Sequence, residues 1–414
     1  MQKSSRKLRA PSPKPQPKPI GRPACKPEGP AAPELQLLLV QVLETLRLAV
    51  VHGGNKTDRG AVLRQAQNPR SWKSYELVAR DIAAALERIG FGNVAIIADD
   101  MRLGKQLRDR RINMAWLNSG GVQGRSAIAH APAMLEMFGI PYVGHDPLTA
   151  GLLDSKHHFK RQLLALGIPT APYVVCDPHD LDAARIPDAT LKSVFGAWPH
   201  GFVVKPVTGR ASLHVHYVQR AAQLPSVIRH VFNATRNSVL VEAFLPGREY
   251  CVAVAGPVIA QSGKLRHLSA PFAFSGLERK LADDEPIFTS MDVKPITAAR
   301  TRVLDQPGDR RVLARLESIA RQVYTGTPLQ TLVRLDVRAD DKGELYVLEA
   351  NPKPDLAAPR AAATSLICLG LAQHGMSYDD LILSVVANRL AGLFDGRQGS
   401  VSQFIKSFQH SKRA

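Results

Sequence analysis

The chain has 414 residues, 45% hydrophobic and 22% charged, which is ordinary for a soluble globular protein and too long for one simple core, so two or three domains are expected. No stretch reaches the length of a membrane span: the most apolar run, Leu35 to Val51, is broken by Gln36, Gln41, Glu44 and Arg47, which excludes a membrane partner from the reading. The formal charge is +18, but 8 of the 54 basic residues and only Glu28 of the acidic ones lie in the first 33 positions, so the remainder carries a milder +11.

Residues 1–33 are basic and studded with prolines from Pro11 to Pro33. Such a segment cannot build a core and is expected to be a disordered, extended tail. The N-terminus has no apolar signal core, and Cys25, Cys176, Cys251 and Cys368 are scattered without metal or redox spacing. Both point to a cytoplasmic protein with reduced thiols. No nucleic-acid-binding motif accompanies the charge, so specific nucleic-acid binding is not expected. A basic surface suits phosphate-bearing ligands equally well.

In chain order, Leu46 to Val51 reads as a first strand running into His52-Gly53-Gly54. Tyr75 to Ile89 has helical spacing (Leu77, Ile82, Leu86, Ile89) and stops at Gly90. Val94 to Ala98, Ala115 to Leu117 and Tyr142-Val143 are short strands, with a helix from Ala127 to Phe138. This alternation predicts an α/β domain over a mostly parallel sheet. A basic helix follows from Asp154 to Leu166, then strands at Tyr173–Cys176, Phe202–Lys205, Val239–Glu242 and Glu249–Ala255, with a turn at Pro246-Gly247. Leu313–Val323 and Tyr378–Phe394 are helical, and this half reads as α+β with antiparallel sheets.

The segments Leu332-Val-Arg-Leu-Asp-Val337 and Leu345-Tyr-Val-Leu-Glu-Ala-Asn351, joined by Asp340 to Gly343, read as a hairpin. Side chains alternate along a strand, so Arg334 and Asp336 share one face, as do Glu349 and Asn351. A loop closing on Lys342-Gly343 sets Asp336 opposite Glu349 and Arg334 opposite Asn351, with Val333, Leu335, Val337, Tyr346 and Leu348 on the apolar side. Two carboxylates and an amide oxygen beside a guanidinium suit a hard cation shared with a phosphate. The same pattern also fits an amphipathic hairpin with a solvated charged face.

The order of segments resembles the D-alanine–D-alanine ligase family of the ATP-grasp superfamily, from about Leu46 to Phe394. The carrying segments are Ile140-Pro-Tyr-Val-Gly-His-Asp-Pro-Leu148, Asp154-Ser-Lys156 with Gly167-Ile-Pro-Thr170, Val203-Val-Lys-Pro206, Val241 to Glu249, the hairpin, and Gly375 to Ile382. The resemblance implies an ATP-grasp architecture: an N-terminal parallel-sheet α/β domain (34–150), a small central α+β subdomain (151–240) and a C-terminal antiparallel-sheet subdomain (241–396), followed by a basic tail (397–414). It implies ATP-dependent ligation of a carboxylate to an amine through an acyl phosphate, with ATP and Mg²⁺ (or Mn²⁺) as cofactors, amino acids as substrates, and a homodimer.

Carried over residue by residue, the resemblance makes Lys156, Lys205 and Ser212 contacts to the ATP phosphates. It sets Glu242 on the adenine amino group, Phe244 against the base and Glu249 on the ribose. Lys280 falls on the family's lid lysine, Arg334 on the arginine facing the transferring phosphoryl group, and Asp336, Glu349 and Asn351 on the metal ligands. Arg360 occupies the place of a serine that binds a substrate carboxylate. The departures gather on the substrate side. Arg210 and His214 stand where phosphate-loop glycines are expected, and Asp355 replaces the glycine whose amide meets the acyl oxyanion. Trp72, Lys73 and Ser74 replace the early ammonium-binding glutamate, and Asn118-Ser-Gly-Gly replaces a family histidine. An ATP-binding protein with an altered substrate site or without ligase activity is the alternative reading. His157-His158 and His214/His216 lack a third partner at ligand spacing and read as surface residues.

Overall fold

The computed structural model describes residues 32–65, 74–177, 186–209, 212–282, 285–287, 300–360 and 365–394. The N-terminal tail through residue 31, the whole C-terminal tail, Trp72, Lys73 and Arg210 lie outside them, whereas Ala32 and Pro33, expected in the tail, begin a helix.

Strands β1 (Arg47–His52), β2 (Asn93–Ala98), β3 (Met114–Asn118) and β4 (Tyr142–Val143) form a parallel sheet in the order β2-β1-β3-β4. Leu48, Ala49, Val50 and Val51 are all fully buried, as a central parallel strand covered on both faces must be. The sheet is flanked by α1 (Ala32–Leu43), α2 (Glu76–Ile89), α3 (Leu103–Asp109) and α4 (His130–Met137). On α2 the buried face is Ala79, Ile82, Ala83, Ala85 and Leu86, whereas Leu77, expected inside, is exposed. Strand order reverses between β1 and β3, which opens a crevice beyond His52 and Asn118.

Helix α5 (Pro147–Asp154) leads into α6 (Lys156–Ala165). The single basic helix expected from Asp154 is thus two helices. Ser155 is extended (φ −90°, ψ 104°) and its hydroxyl caps α6, so Lys156 becomes the first residue of a new helix. The next sheet, in the order β5-β8-β6-β7, is antiparallel: β5 (Tyr173–Cys176), β6 (Phe202–Pro206), β7 (His216–Val218) and β8 (Val239–Ala243). Helix α7 (Asp188–Phe195) adds Phe195 to its core, and α8 (Leu224–Thr235) lays Leu224, Ile228 and Val231 on Val204, Val218 and Val241.

The third sheet carries β9 (Glu249–Ala255), β12 (Phe272–Arg279), β13 (Thr301–Val303), β14 (Val333–Ala339) and β15 (Leu345–Asn351) in the order β13-β12-β9-β14-β15, all antiparallel. Helix α9 (Arg310–Gly326) buries Leu316, Ala320 and Val323 against it. A small hairpin, β10 (Val258–Gln261) with β11 (Lys264–His267), packs under α10 (Tyr378–Phe394). Helix α10 shares a core with α2 and β1, and Arg88 grips Asp379 through two hydrogen bonds of 2.9 and 2.7 Å. These contacts fix the N-terminal sheet against the third sheet.

The β14–β15 register is Arg334↔Asn351 and Asp336↔Glu349, as the alternation predicts, but the loop is not the two-residue turn assumed. Asp340 closes it by accepting from the amides of Lys342 (2.9 Å) and Glu344 (2.8 Å). A bulge between Asp336 and Val337 then restores the expected pairing. Consequently Leu345 and Val347 enter the core, while Leu348 lines a cleft and Tyr346 is half-buried.

Candidate active site

The second and third sheets face each other across a cleft of about 380 Å³. Its floor is charged. Lys205, on β6, and Glu242, on β8, share a face of the second sheet, and the Lys205 ammonium donates to Glu242 Oε1. Glu242 Oε2 lies 2.9 Å from the ammonium of Lys160, which has no solvent exposure and also donates to Thr170 Oγ1 at 2.7 Å. Burial opposes charge on all three groups. The lysines nevertheless hold the Glu242 carboxyl below its usual value, and Glu242 and Glu349 hold the Lys205 ammonium above its own. Lys160 is the exception: burial prevails and its pKa falls. Both Glu242 oxygens therefore serve lysines. Its geometry is that of a support for Lys205 rather than of an acceptor for a base.

Lys156 projects from the first turn of α6 to Glu349 Oε2 at 3.2 Å and donates to Gly209 O at 3.3 Å. Arg334 clamps Asp336 through two hydrogen bonds of 2.8 and 3.0 Å, and Asn351 Nδ2 donates to Asp336 at 3.3 Å. Burial would raise the Glu349 carboxyl, but Lys156, Lys205 and Arg334 overcome it and lower its pKa. The strand face expected to hold Arg334, Asp336, Glu349 and Asn351 thus lines the cleft as a unit. Among the described residues no three His, Cys, Asp or Glu side chains are placed to hold a metal. A cation here would rely on Asp336, Glu349 and the Asn351 amide oxygen. That hard-oxygen set fits Mg²⁺ completed by phosphate oxygens and water. The described histidines do not gather into a metal site: His157 packs on His158, and His216 on His230.

At the other end Phe244 stands with Val203 and Ile287 in an apolar wall, its ring edge-on to Tyr217 at 4.8 Å. This is the apolar surface a base requires. Glu249 is not open to a ribose, because it accepts from Arg279 at 2.8 Å and Arg338 at 3.4 Å. The Arg338 guanidinium lies 4.7 Å over the Phe244 ring, a cation–π arrangement.

Two expected residues are turned away. Lys280 is exposed, and its neighbour Arg279, paired directly with Glu249 across β12 and β9, faces the cleft. Alternation along β12 puts the cation one position earlier than the resemblance implied. Arg360 pairs with Asp81 and its side chain is 54% exposed, outside the cleft lining. Ser212 lines the cleft, and both Ser212 (φ 54°) and His214 (φ 58°) are left-handed. His214 thus adopts, without being glycine, a backbone conformation that glycine takes most readily.

Sequence reasoning missed Lys160, Arg279 and Arg338. Lys160 was detectable, since it lies four residues from Lys156 on one helical face beside Phe159 and Leu163. Arg338 was detectable as the next same-face residue after Arg334 and Asp336 on the hairpin.

Two facing antiparallel sheets, with a buried lysine–glutamate pair on one, a carboxylate hairpin on the other and two lysines of α6 beside them, define an ATP-grasp protein. The family model described as D-ala D-ala ligase C-terminus matches residues 163–387. The D-alanine–D-alanine ligase of Pseudoalteromonas atlantica is 28% identical over 341 residues, spanning 82% of this chain and 93% of its own. An uncharacterized protein of Sinorhizobium fredii, y4sG, is 25% identical over 355 residues, spanning 82% and 96%. The crystal structure of the Bacillus anthracis D-alanine–D-alanine ligase complexed with ATP shares the fold (TM-score 0.57, 18% identity, 83% of this chain and 97% of that one). The chain belongs to the D-alanine–D-alanine ligase family. No helix among the described residues is long and apolar enough to cross a membrane.

Proposed function

We propose that the protein is an ATP-dependent carboxylate–amine ligase that forms an amide bond between amino acids through an acyl phosphate. The observation that carries this is that Lys156 and Arg334 pair with the hairpin carboxylates Glu349 and Asp336 in a cleft that Lys205 also lines. In the proposed reaction a substrate carboxylate oxygen bonds to the γ-phosphorus and ADP leaves. The amine nitrogen then bonds to the acyl carbon, phosphate leaves, and the nitrogen gives up a proton. Lys156, Lys205 and Arg334 neutralise the phosphate charge and hold the oxygens in line, which is most of what phosphoryl transfer asks of a protein. Asp336, Glu349 and Asn351 would hold Mg²⁺, which when bound screens the terminal phosphates. Phe244 and Arg338 form the shelf for the base.

The test is ADP release with ATP, Mg²⁺ and a panel of D- and L-amino acids, alone and in pairs. Release that requires both a carboxylate and an amine is expected. Asp336→Asn and Glu349→Gln are each expected to lower it by roughly a hundredfold or more, as loss of a charge facing the reacting phosphate does. Full activity in either would refute the metal assignment. The alternative, nucleotide binding without turnover, draws on Asp355 and His214 in place of glycines; trapping an acyl phosphate as hydroxamate rules it out.

A further inference from the structure

Alternation along β6 gives the second sheet an apolar cluster on each face. Val203 meets Phe244 and Ile287 on the cleft side, whereas Val204 joins Val218 and Val241 in the outer core. Trp198, three residues after the α7–β6 connection begins at Phe195, packs half-buried against that outer core and is not among the described residues that line the cleft. Its indole Nε1–H nevertheless reaches round to the base shelf and donates to the Phe244 carbonyl at 3.0 Å. An indole N–H withdrawn from water needs such an acceptor, and here the acceptor belongs to the residue whose ring faces the cleft.

The same short segment takes the other backbone group of that residue. The Phe244 amide donates to Gly201 O at 3.0 Å, so residues 198–201 bind both the amide and the carbonyl of Phe244. Gly201 permits the close approach: it is left-handed (φ 84°), and a Cβ there would stand 2.6 Å from Val218 O. Tyr217 on β7 completes the bracket. Its hydroxyl donates to His200 O at 3.1 Å, and its ring meets Phe244 edge-on. The backbone of Phe244 is thus held at two points by residues 198–201, and its ring by Tyr217 and Arg338.

We propose that Trp198 is a positioning residue for the nucleotide base: by fixing the backbone of Phe244 it sets the ring on which the base lies, and it does so without touching the ligand. The inference rests on the reading of the cleft as a nucleotide site. The phosphate end is built by Lys156, Lys205 and Arg334 with their own carboxylate partners. Trp198 bonds to none of them, so base binding and phosphate binding are separable.

The test compares ATP with inorganic tripolyphosphate, which lacks base and ribose, each with Mg²⁺, by calorimetry on the full-length protein. Trp198→Phe removes the donor and keeps an aromatic ring in the outer core. It is expected to weaken ATP roughly three- to tenfold, the loss of one hydrogen bond. Tripolyphosphate affinity stays as in wild type, which also shows that the variant is folded. Tyr217→Phe, which loses only a hydroxyl, weakens ATP in the same base-limited way, so the result does not hang on one variant. In a Phe244→Leu background Trp198→Phe costs no further ATP affinity, because the ring it positions is gone. A merely structural tryptophan would weaken both ligands alike or neither. Equal loss of ATP and tripolyphosphate, unchanged ATP affinity in Trp198→Phe, or an undiminished loss in the Phe244→Leu background overturns the proposal while leaving the ligase reading intact. A wild type that binds no ATP overturns both.

Discussion

Replacing Glu242 by glutamine tests how the cleft floor is held. In the wild type one carboxylate is shared by two buried ammonium groups, Lys160 and Lys205. The substitution keeps the shape, removes the charge and leaves both lysines in an interior that penalises it. Breaking a buried pair by removing one partner costs about 3–5 kcal/mol, mostly from the uncompensated charge left behind. Without Glu242 both folded lysine pKa values fall below the unfolded value, near 10.5. Between those limits the native state binds fewer protons than the unfolded one, so the variant gains stability as pH rises. Each pKa unit of that window returns up to about 1.4 kcal/mol per lysine. The deficit measured by urea unfolding is therefore large at pH 7 and smaller at pH 9.5. Lys160→Met is the control: Glu242 keeps Lys205, so no buried charge is left without a partner. Its deficit, from the lost hydrogen bond to Thr170 and the second contact to Glu242, is expected to be smaller than that of Glu242→Gln. A Glu242→Gln deficit under about 1 kcal/mol at pH 7, or one independent of pH, would refute the account.

Arg279→Ala should raise the KM for ATP by roughly tenfold or more, because it unties Glu249 in the cleft and removes a cation there, while Lys280→Ala and Arg360→Ala leave that KM within about threefold; the reverse order would return the assignment to Lys280. Asp99 is 7% exposed and burial pushes its carboxyl from 3.8 to about 6, against the hydrogen bond from Ser119. The folded state binds the extra proton, so this group's contribution is present below pH 4 and lost as pH rises through about 6, a cost of roughly 3 kcal/mol at neutral pH. Asp99→Asn should therefore raise the melting temperature at pH 7.5 but not at pH 4, and an equal gain at both would exclude burial as the cause.

What could be read before the structure follows from the range of each signal. The pairing of Asp336 with Glu349 and of Arg334 with Asn351 was legible because strand alternation has a strict period of two. The bulge at Asp336/Val337 was not, since a five-residue loop with a bulge and a two-residue loop without one give the same pairs at the site. The choice between Arg279 and Lys280 depends on which face of β12 meets Glu249, and that depends on a register shift between Phe274 and Leu277 that composition does not encode. Tyr75 and Asn118 are 43 residues apart, and nothing local in either segment announces the contact. The departures at positions 118, 355 and 360 were visible as departures. What surrounds them, including the Lys353 ammonium 3.2 Å from the centroid of the Tyr75 ring, required the packing of α2 and α10 that brings the first sheet over the third.

The ion pairs of the cleft differ in whether they can be exchanged. Lys205–Glu242 is backed by Lys160 and almost wholly buried in the cleft floor, so it is the least exchangeable of the three. Lys156–Glu349 and Arg334–Asp336 are two-membered pairs on the cleft surface. A nucleotide alone would draw the cations to its phosphates and confront two uncovered carboxylates; a divalent cation alone would draw the carboxylates and confront two uncovered cations. Only together do all four side chains exchange like for like. Mg²⁺ and ATP should therefore bind synergistically, with ATP affinity by calorimetry roughly five- to hundredfold higher in Mg²⁺ than in a chelator, the range of a coupling of about 1–3 kcal/mol. Asp336→Asn removes one of the uncovered carboxylates, so it should strengthen metal-free ATP binding while weakening binding with Mg²⁺. Equal ATP affinity with and without the metal, or a variant weakened in both conditions alike, would mean that these pairs are fixed scaffolding and not the partners that ligands displace.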